Sequence, residues 1–302
     1  MTKKRGIVGT DVHKAEKPNI PNMCGLAITI SLVCSAIVLA VAFPFITRRI
    51  LAFTLCVGIT GIIGVVDDLG PLSPRLKPLL TAAGAVPIVL LGTYSPYMEI
   101  PFLGIARLTI VYPLLVILAI PVLANAINMM NPFNGAMSGT CSILSLAMIA
   151  YLLLSNRTVE AILPSALLGS LLAFHWYNRY PAKVFSGNAG DLSVGAAVGA
   201  LTIMGRIEVP MVIAMIPHIT NGFYLLSSIG GLRERREISE RPTRVLTDGR
   251  IESTKDDKAP ITLSRLILAE GPLRENEIVN FMFVMTIVSS MLGLATLLLM
   301  RS

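Results

Sequence analysis

Two adjacent carboxylates, Asp67 and Asp68, close the apolar run Ile50–Val66, and Lys77 follows nine residues beyond Asp68. Acids at a membrane boundary are costly and as a rule functional. The plainer reading is a helix end exposing two solvated aspartates, but the macrodipole disfavours negative charge at a helix C-terminus. Adjacent residues on a helix point in different directions. One aspartate can therefore handle a proton while the other holds a cation or orients a partner. Farther on, Asn125, Asn128, Asn131 and Asn134 recur every third residue inside Leu108–Asn156, a 49-residue stretch without a formal charge. Buried amides need partners, because an unpaired one costs a few kcal/mol. Interhelical glue would satisfy that need, but a repeat lying beside Pro132 and Gly135, where a helix breaks, favours a ligand cradle. Asparagine carbonyls are hard oxygen ligands suited to Mg2+, and the amides can read a nucleobase edge.

Two more sets fall at the same kind of boundary. Phe185–Gly195 is a glycine-rich turn opening an apolar run, with Asn188 and Asp191 as further oxygen ligands. Backbone amides at a helix N-terminus favour phosphate. The polar stretch around 230–277 carries Arg233, Arg235, Arg236, Arg241, Arg244 and Arg250. The first three are equally well explained as a topology signal. Arg241 and Arg244, beside Pro242, are better placed as a pyrophosphate clamp, since guanidinium forks match phosphate oxygens. His218 and Asn221 read as packed polar residues, and His13 and His175 have no evident partner. Carboxylates, amide oxygens, a lysine, arginines and a phosphate-binding turn together fit metal-assisted phosphoryl transfer. No Walker A sequence is present, so a P-loop nucleotidase is not expected.

The elements that must position these groups are transmembrane. Of the 302 residues, 54% are hydrophobic and 14% charged, against about 25% charged in a soluble domain. Mean hydropathy is +0.72. Charge-free runs long enough to cross hydrocarbon as helices predict an all-α, polytopic bundle of about nine spans. These lie at roughly 24–46, 49–66, 77–94, 108–127, 136–155, 161–177, 190–205, 207–229 and 278–300. A disordered chain and a β-barrel, which would alternate in segments of about ten residues, are excluded. Residues 1–23 lack a cleavable signal pattern, so the N-terminus is expected in the cytosol. Alternation from there puts most of the 25 Lys and Arg inside, as the positive-inside rule requires. The net charge of +7 thus marks topology, and nucleic acid is not an expected partner. Cys24, Cys34, Cys56 and Cys141 show no metal-binding spacing and read as reduced packing residues. The whole chain, 1–302, reads as a single integral membrane domain with a cytosolic loop at about 230–277 and a cytosol-facing cleft.

At these residues the chain resembles the polyprenyl-phosphate N-acetylhexosamine-1-phosphate transferase family. The motifs run in order: Gly9-Thr-Asp11-Val-His-Lys14 with Lys17-Pro and Ile-Pro21, Asp67-Asp68 with Lys77, Asn125-Ala-Ile-Asn128 with Asn134-Gly135, Phe185-Ser-Gly187-Asn188, and the arginine loop. The resemblance implies transfer of a sugar-1-phosphate from a UDP-sugar to a polyprenyl phosphate in the bilayer, releasing UMP with Mg2+ as cofactor. By resemblance Asp67 and Asp68 serve the acceptor phosphate and catalysis, and Lys77 contacts the donor phosphates. Asn128 is a metal ligand, Asn134 a uracil contact, and Arg241 or Arg244 a pyrophosphate or sugar contact. Asn125, Asn131 and Asn221 complete the expected substrate-binding set.

The Ile-Pro-His-Ile-Thr-Asn-Gly-Phe-Tyr stretch and the Pro-Thr-Arg loop are similar to the branch that makes dolichyl-linked GlcNAc. The muropeptide branch would show Asp-Gly-Leu-Asp-Gly after the asparagines and a histidine-rich loop. UDP-GlcNAc and a dolichyl-type phosphate are therefore the expected substrates, with a homodimer as a further expectation. The membrane would be the plasma membrane in a prokaryote and the endoplasmic reticulum in a eukaryote. Two departures stand out. Asn188 replaces the family's usual aspartate metal ligand, leaving Asn188 or Asp191 to hold the metal. The family's usual first span has no counterpart, which predicts nine spans in place of ten or a start codon placed too late. A secondary transporter for an anionic solute and a catalytically inactive homologue are the competing readings.

Overall fold

The computed structural model describes residues 7–14, 16–231 and 240–301, and over these the chain is mostly helical. Arg233, Arg235 and Arg236 lie outside the described residues. A short antiparallel hairpin, β1 (Val8–Thr10) with β2 (Asn19–Pro21), precedes α1 (Leu26–Ala42). After a 3-10 turn at Pro44–Ile46, α2 spans Thr47–Leu69 and stops where Gly70 and Pro71 turn the chain out of the helix. The segment expected as a third span is broken: α3 (Leu76–Thr81), a 3-10 turn (Ala82–Ala85) and α4 (Val86–Leu90). Pro87 supplies no amide hydrogen for an α-helical bond and its ring crowds the carbonyl four residues back, which is why the helix does not run through.

A second hairpin, β3 (Tyr97–Ile100) with β4 (Gly104–Arg107), leads into α5 (Val111–Met129), α6 (Ala136–Leu154), α7 (Ile162–Asn178) and α8 (Gly187–Gly205). Next come α9 (Glu208–Ala214) and α10 (Ile216–Ser228), which meet at a bend of 64°. The segment expected as a cytosolic loop is folded. It contains the hairpin of β5 (Thr243–Val245) and β6 (Ile251–Ser253) and the short α11 (Leu263–Ile267), and it delivers the chain to α12 (Glu275–Leu299). Ile251, Leu263 and Leu268 pack there on Met130, Phe133, Ile278 and Met282 in a core of their own.

Helices thus stand at each of the nine expected places. Among the described residues, four of them are long and apolar enough to cross a membrane, five if the bent pair counts as one span. The chain is mostly helical, as an all-α bundle requires, and among the described residues it also carries three two-stranded hairpins. The four cysteines form no disulfide among the described residues.

The helix α8 is the hub. Every residue from Ala189 to Gly205 is buried, with α1, α2, α5 and α6 around it. Small residues allow that crowding, as expected for helices that associate by close van der Waals packing in lipid. A Cβ on Gly195 would come within 2.5 Å of the Ala124 Cα of α5. One on Gly64 of α2 would collide with the backbone of Asn188 and Ala189. The N-terminal end of α8 is thereby pressed against the C-terminal end of α2, which carries the aspartates.

Candidate active site

The aspartates lie in the last turn of α2 and diverge. Asp67 Oδ1 accepts the Leu72 amide at 2.8 Å, which ties it to the chain that has just left the helix. Its Oδ2 pairs with Lys77 Nζ of α3 at 2.8 Å, and both side chains are largely enclosed. The same ammonium donates to Asn188 Oδ1 at 2.9 Å and to Asn128 Oδ1 at 3.1 Å. Lys77 thus sits among three oxygens contributed by α2, α5 and α8.

Asp68 points to α8. It accepts the Asn188 amide at 2.9 Å, the Ala189 amide at 3.0 Å and Asn188 Nδ2 at 3.1 Å. Its place at the C-terminus of α2 is electrostatically unfavourable, but the N-terminus of α8 offsets this. The helix-start amides read from sequence as a phosphate seat are thus engaged by a carboxylate of the protein itself. Gly187 makes the approach possible: its φ is +67°, and a Cβ there would stand 2.5 Å from Asp68 Oδ2.

The asparagine ladder divides between the end of α5 and the turn after it. Asn125 donates to the Pro121 carbonyl at 2.7 Å and reaches Thr81 Oγ1 at 3.4 Å. Asn128 Nδ2 donates to Asn188 Oδ1 at 2.8 Å and to Asp191 Oδ2 at 3.2 Å. Asn131 Nδ2 meets both Asp191 oxygens at 2.9 Å and Ser186 Oγ at 2.9 Å. Ser186 Oγ in turn donates to Asp191 Oδ1 at 2.6 Å.

Asn134 belongs to an adjoining group. Its Nδ2 donates to Asp11 Oδ2 at 3.0 Å, and its amide donates to Glu275 Oε1 at 2.8 Å. Lys14 pairs with Asp11 and lies 3.9 Å from Glu275. His13 packs its ring on Phe133 at 4.5 Å. Burial works against the Asp11 charge, yet the hydrogen bonds from Lys14 and Asn134 and the Lys14 charge outweigh it, holding the carboxyl below its usual 3.8. This group joins the β1–β2 loop, the 131–135 turn and the start of α12.

Asn221 stands apart from both groups. It donates to the Met129 carbonyl at 3.1 Å and accepts the Leu263 amide at 2.9 Å, tying α10 to α5 and α11. His218 is buried, with Nε2 3.1 Å from Thr140 Oγ1. His175 finds Ser138 Oγ at 2.8 Å. Arg241 is exposed, and Arg244 pairs with Glu252 across the β5–β6 hairpin. Among the described residues neither arginine touches the aspartate and asparagine cluster. The structure therefore brings together Asp67, Asp68, Lys77, Asn128, Asn131, Asn188 and Asp191, and adds Ser186. Glu275 was also not anticipated. An acid in the first turn of a helix is ordinary, so the sequence carried no signal for it.

Known sequences are similar to this chain. The profile of glycosyl transferase family 4 matches residues 50–206. A "Putative glycosyltransferase" of Methanocaldococcus jannaschii is 30% identical over 286 residues, covering 95% of this chain and 86% of that one. A "Putative UDP-N-acetylglucosamine--dolichyl-phosphate N-acetylglucosaminephosphotransferase" of Saccharolobus solfataricus is 27% identical over 300 residues, 97% of this chain and 89% of its own length. A "Probable undecaprenyl-phosphate N-acetylglucosaminyl 1-phosphate transferase" of Bacillus subtilis is 30% identical over 229 residues, 72% of this chain and 62% of that relative.

Proposed function

The chain belongs to glycosyl transferase family 4, and on that premise we propose that it transfers GlcNAc-1-phosphate from UDP-GlcNAc to a dolichyl-type polyprenyl phosphate. One observation carries the reading: Lys77 Nζ lies 2.8–3.1 Å from oxygens of Asp67, Asn128 and Asn188, beside a second carboxylate, Asp68. Such a cluster at the ends of apolar helices suits a reaction that joins a soluble nucleotide sugar to a lipid. The S. solfataricus relative's name favours GlcNAc and dolichyl phosphate as substrates.

In the reaction an oxygen of the acceptor phosphate forms a bond to the sugar-side phosphorus of the donor. The bond from that phosphorus to the bridging oxygen breaks, and its electron pair leaves with UMP. Catalysis of this kind is mostly positioning and charge neutralisation. Lys77 moves part of its bonding from Asp67 to the donor phosphates. Asp67, still held by the Leu72 amide, then takes the proton of an acceptor phosphate that carries one. Asp68 keeps the start of α8, and with it Asn188, in register with α2. Asn125 and Asn131 line the cleft, and Asn134, clamped by Asp11 and Glu275, marks its uracil end. Arg241 and Arg244, carried on the folded β5–β6 segment, close on the pyrophosphate and sugar.

The donor set suits Mg2+, since three hard oxygens already converge on one cationic atom. Asn128 and Asn188 would hold the ion, which when bound supplies neutralising charge to the pyrophosphate. Nine spans, a cytosolic N-terminus and a cleft opening to the cytosol complete the reading, with a homodimer as the assembly to test.

The purified protein is incubated with polyprenyl phosphate, Mg2+ and radiolabelled UDP-GlcNAc, with and without EDTA. UMP release matched by label in the lipid phase, both lost with EDTA, is the expected outcome. Binding of UDP-GlcNAc without label in lipid would favour the inactive homologue, and saturable uptake into vesicles without lipid product would favour a transporter.

A further inference from the structure

Asp191 is buried near the start of α8, and its bonds use the whole carboxylate. Oδ1 accepts from Ser186 Oγ at 2.6 Å and Asn131 Nδ2 at 2.9 Å, while Oδ2 accepts from Asn131 Nδ2 at 2.9 Å and Asn128 Nδ2 at 3.2 Å. A carboxylate offers about four lone-pair directions, and these four contacts take them. Asn131 is itself fixed, because its Oδ1 accepts the Met137 amide of α6 at 3.2 Å.

The consequence falls on Asn128. Its Nδ2 donates to Asp191 Oδ2 at 3.2 Å and to Asn188 Oδ1 at 2.8 Å, and its Oδ1 accepts from Lys77 Nζ at 3.1 Å. Turned over, the amide would set its oxygen against two acceptors and its NH2 against an ammonium. Three attractive contacts would become three repulsive ones. The carboxylate, together with Asn188 and Lys77, thus fixes the orientation of the Asn128 amide.

We propose that Asp191 is a positioning residue that acts through Asn128, with Ser186 and Asn131 holding it, and that it is not itself a ligand of the cation. The assignment rests on the reading of this cleft as a divalent-cation-dependent transferase site. It accounts for a carboxylate placed one helical turn beyond Asn188: its charge reaches the cleft through an oriented, polarised amide.

The test uses the full-length protein in lipid nanodiscs, with Mn2+ binding followed by loss of the free-ion spin-resonance signal and turnover measured in parallel. Asp191→Asn is expected to weaken Mn2+ binding about tenfold, as loss of a group that orients a ligand does. In an Asn128→Ala background the same substitution should change neither Mn2+ affinity nor turnover further. Additive losses in that double variant would make Asp191 an independent ligand and overturn the proposal. Ser186→Ala leaves the carboxylate in place and guards against a folding defect in Asp191→Asn. A positioning role predicts weaker Mn2+ binding in Ser186→Ala, whereas a ligand freed of one hydrogen bond would bind tighter. Unchanged or tighter binding in this variant overturns the assignment. Wild-type protein that neither binds Mn2+ nor turns over would instead defeat the transferase reading, which separates the two failures.

Discussion

Lys77 holds one ammonium against oxygens of three helices, so its removal should be felt at all of them. In Lys77→Met, the buried Asp67 carboxylate keeps only the Leu72 amide, and the Asn128 and Asn188 oxygens lose their common donor. Loss of one such preorganised donor costs about a hundredfold or more in turnover, with a rise in donor KM. Steady-state assays check this, and turnover within threefold of wild type would remove Lys77 from the chemistry. Arginine should not restore activity, because a planar fork cannot replace a point charge among three converging oxygens. Asp11 gives a pH signature at the same scale. Its folded-state pKa lies below the ordinary value, so its contribution to stability is complete above the unfolded-state pKa of about 3.9 and is lost as pH falls through the lower folded value. The stability gap between wild type and Asp11→Asn should therefore be flat near neutrality and close only in acid, measured by chemical unfolding across pH. Asp67, Lys77 and Asn128 were legible because polar groups stand out against apolar runs. Ser186 and Glu275 were not, since a serine in a turn is ordinary and Glu275 meets Asn134 across 141 residues of chain.

At the scale of elements, the long apolar runs announced their helices, but residues 77–94 read as one continuous span, and the break found there was not foreseen. The hairpins were illegible because strands of three or four residues are too short for an alternating pattern. The role of α8 was equally hidden: its glycines read as an ordinary span, and only packing reveals that Gly195 and Gly64 let α5 and α2 approach. The C-terminal end of α7 carries a further consequence. Trp176 is 62% exposed, its ring lies 4.1 Å from the Arg179 guanidinium, and Tyr177 and Tyr180 are exposed beside it. Aromatic residues paired with cations belong at the headgroup level of a bilayer. Trp176 is the single tryptophan of the chain, so its fluorescence reports this position without labelling. In vesicles, quenchers fixed near the headgroups should quench it more than quenchers deep among the acyl chains. The reverse order would put this end of α7 at the wrong depth for a lipid-phosphate reaction.

For the whole molecule, the two ends of the bundle are built differently. The cluster around Lys77 gathers the C-terminal ends of α2 and α5 and the start of α8. The far end of α8, roughly 28 Å away at 1.5 Å per residue, is closed by ion pairs. Glu99 of β3 meets Arg157 at 3.1 Å and Arg206 at 3.7 Å. Arg157 also donates to the Gly205 and Arg206 carbonyls at 2.6 and 2.8 Å, and Tyr112 bonds Glu208. These contacts staple β3 to the ends of α6 and α8. A transporter must open each end in turn, with its binding residues near the midplane; here one end holds the polar cluster and the other is tied shut. A transferase needs access from one side only, so the closed end should serve stability alone. Glu99→Gln removes the shared anion and leaves two guanidinium groups facing each other. The expected cost is about 1 kcal/mol for partly exposed pairs, seen as a thermal midpoint lowered by a few degrees, with turnover below that midpoint within twofold of wild type. A variant of unchanged thermal stability but strongly reduced turnover would mean that the far end takes part in the reaction cycle, and the one-sided view of the molecule would fail.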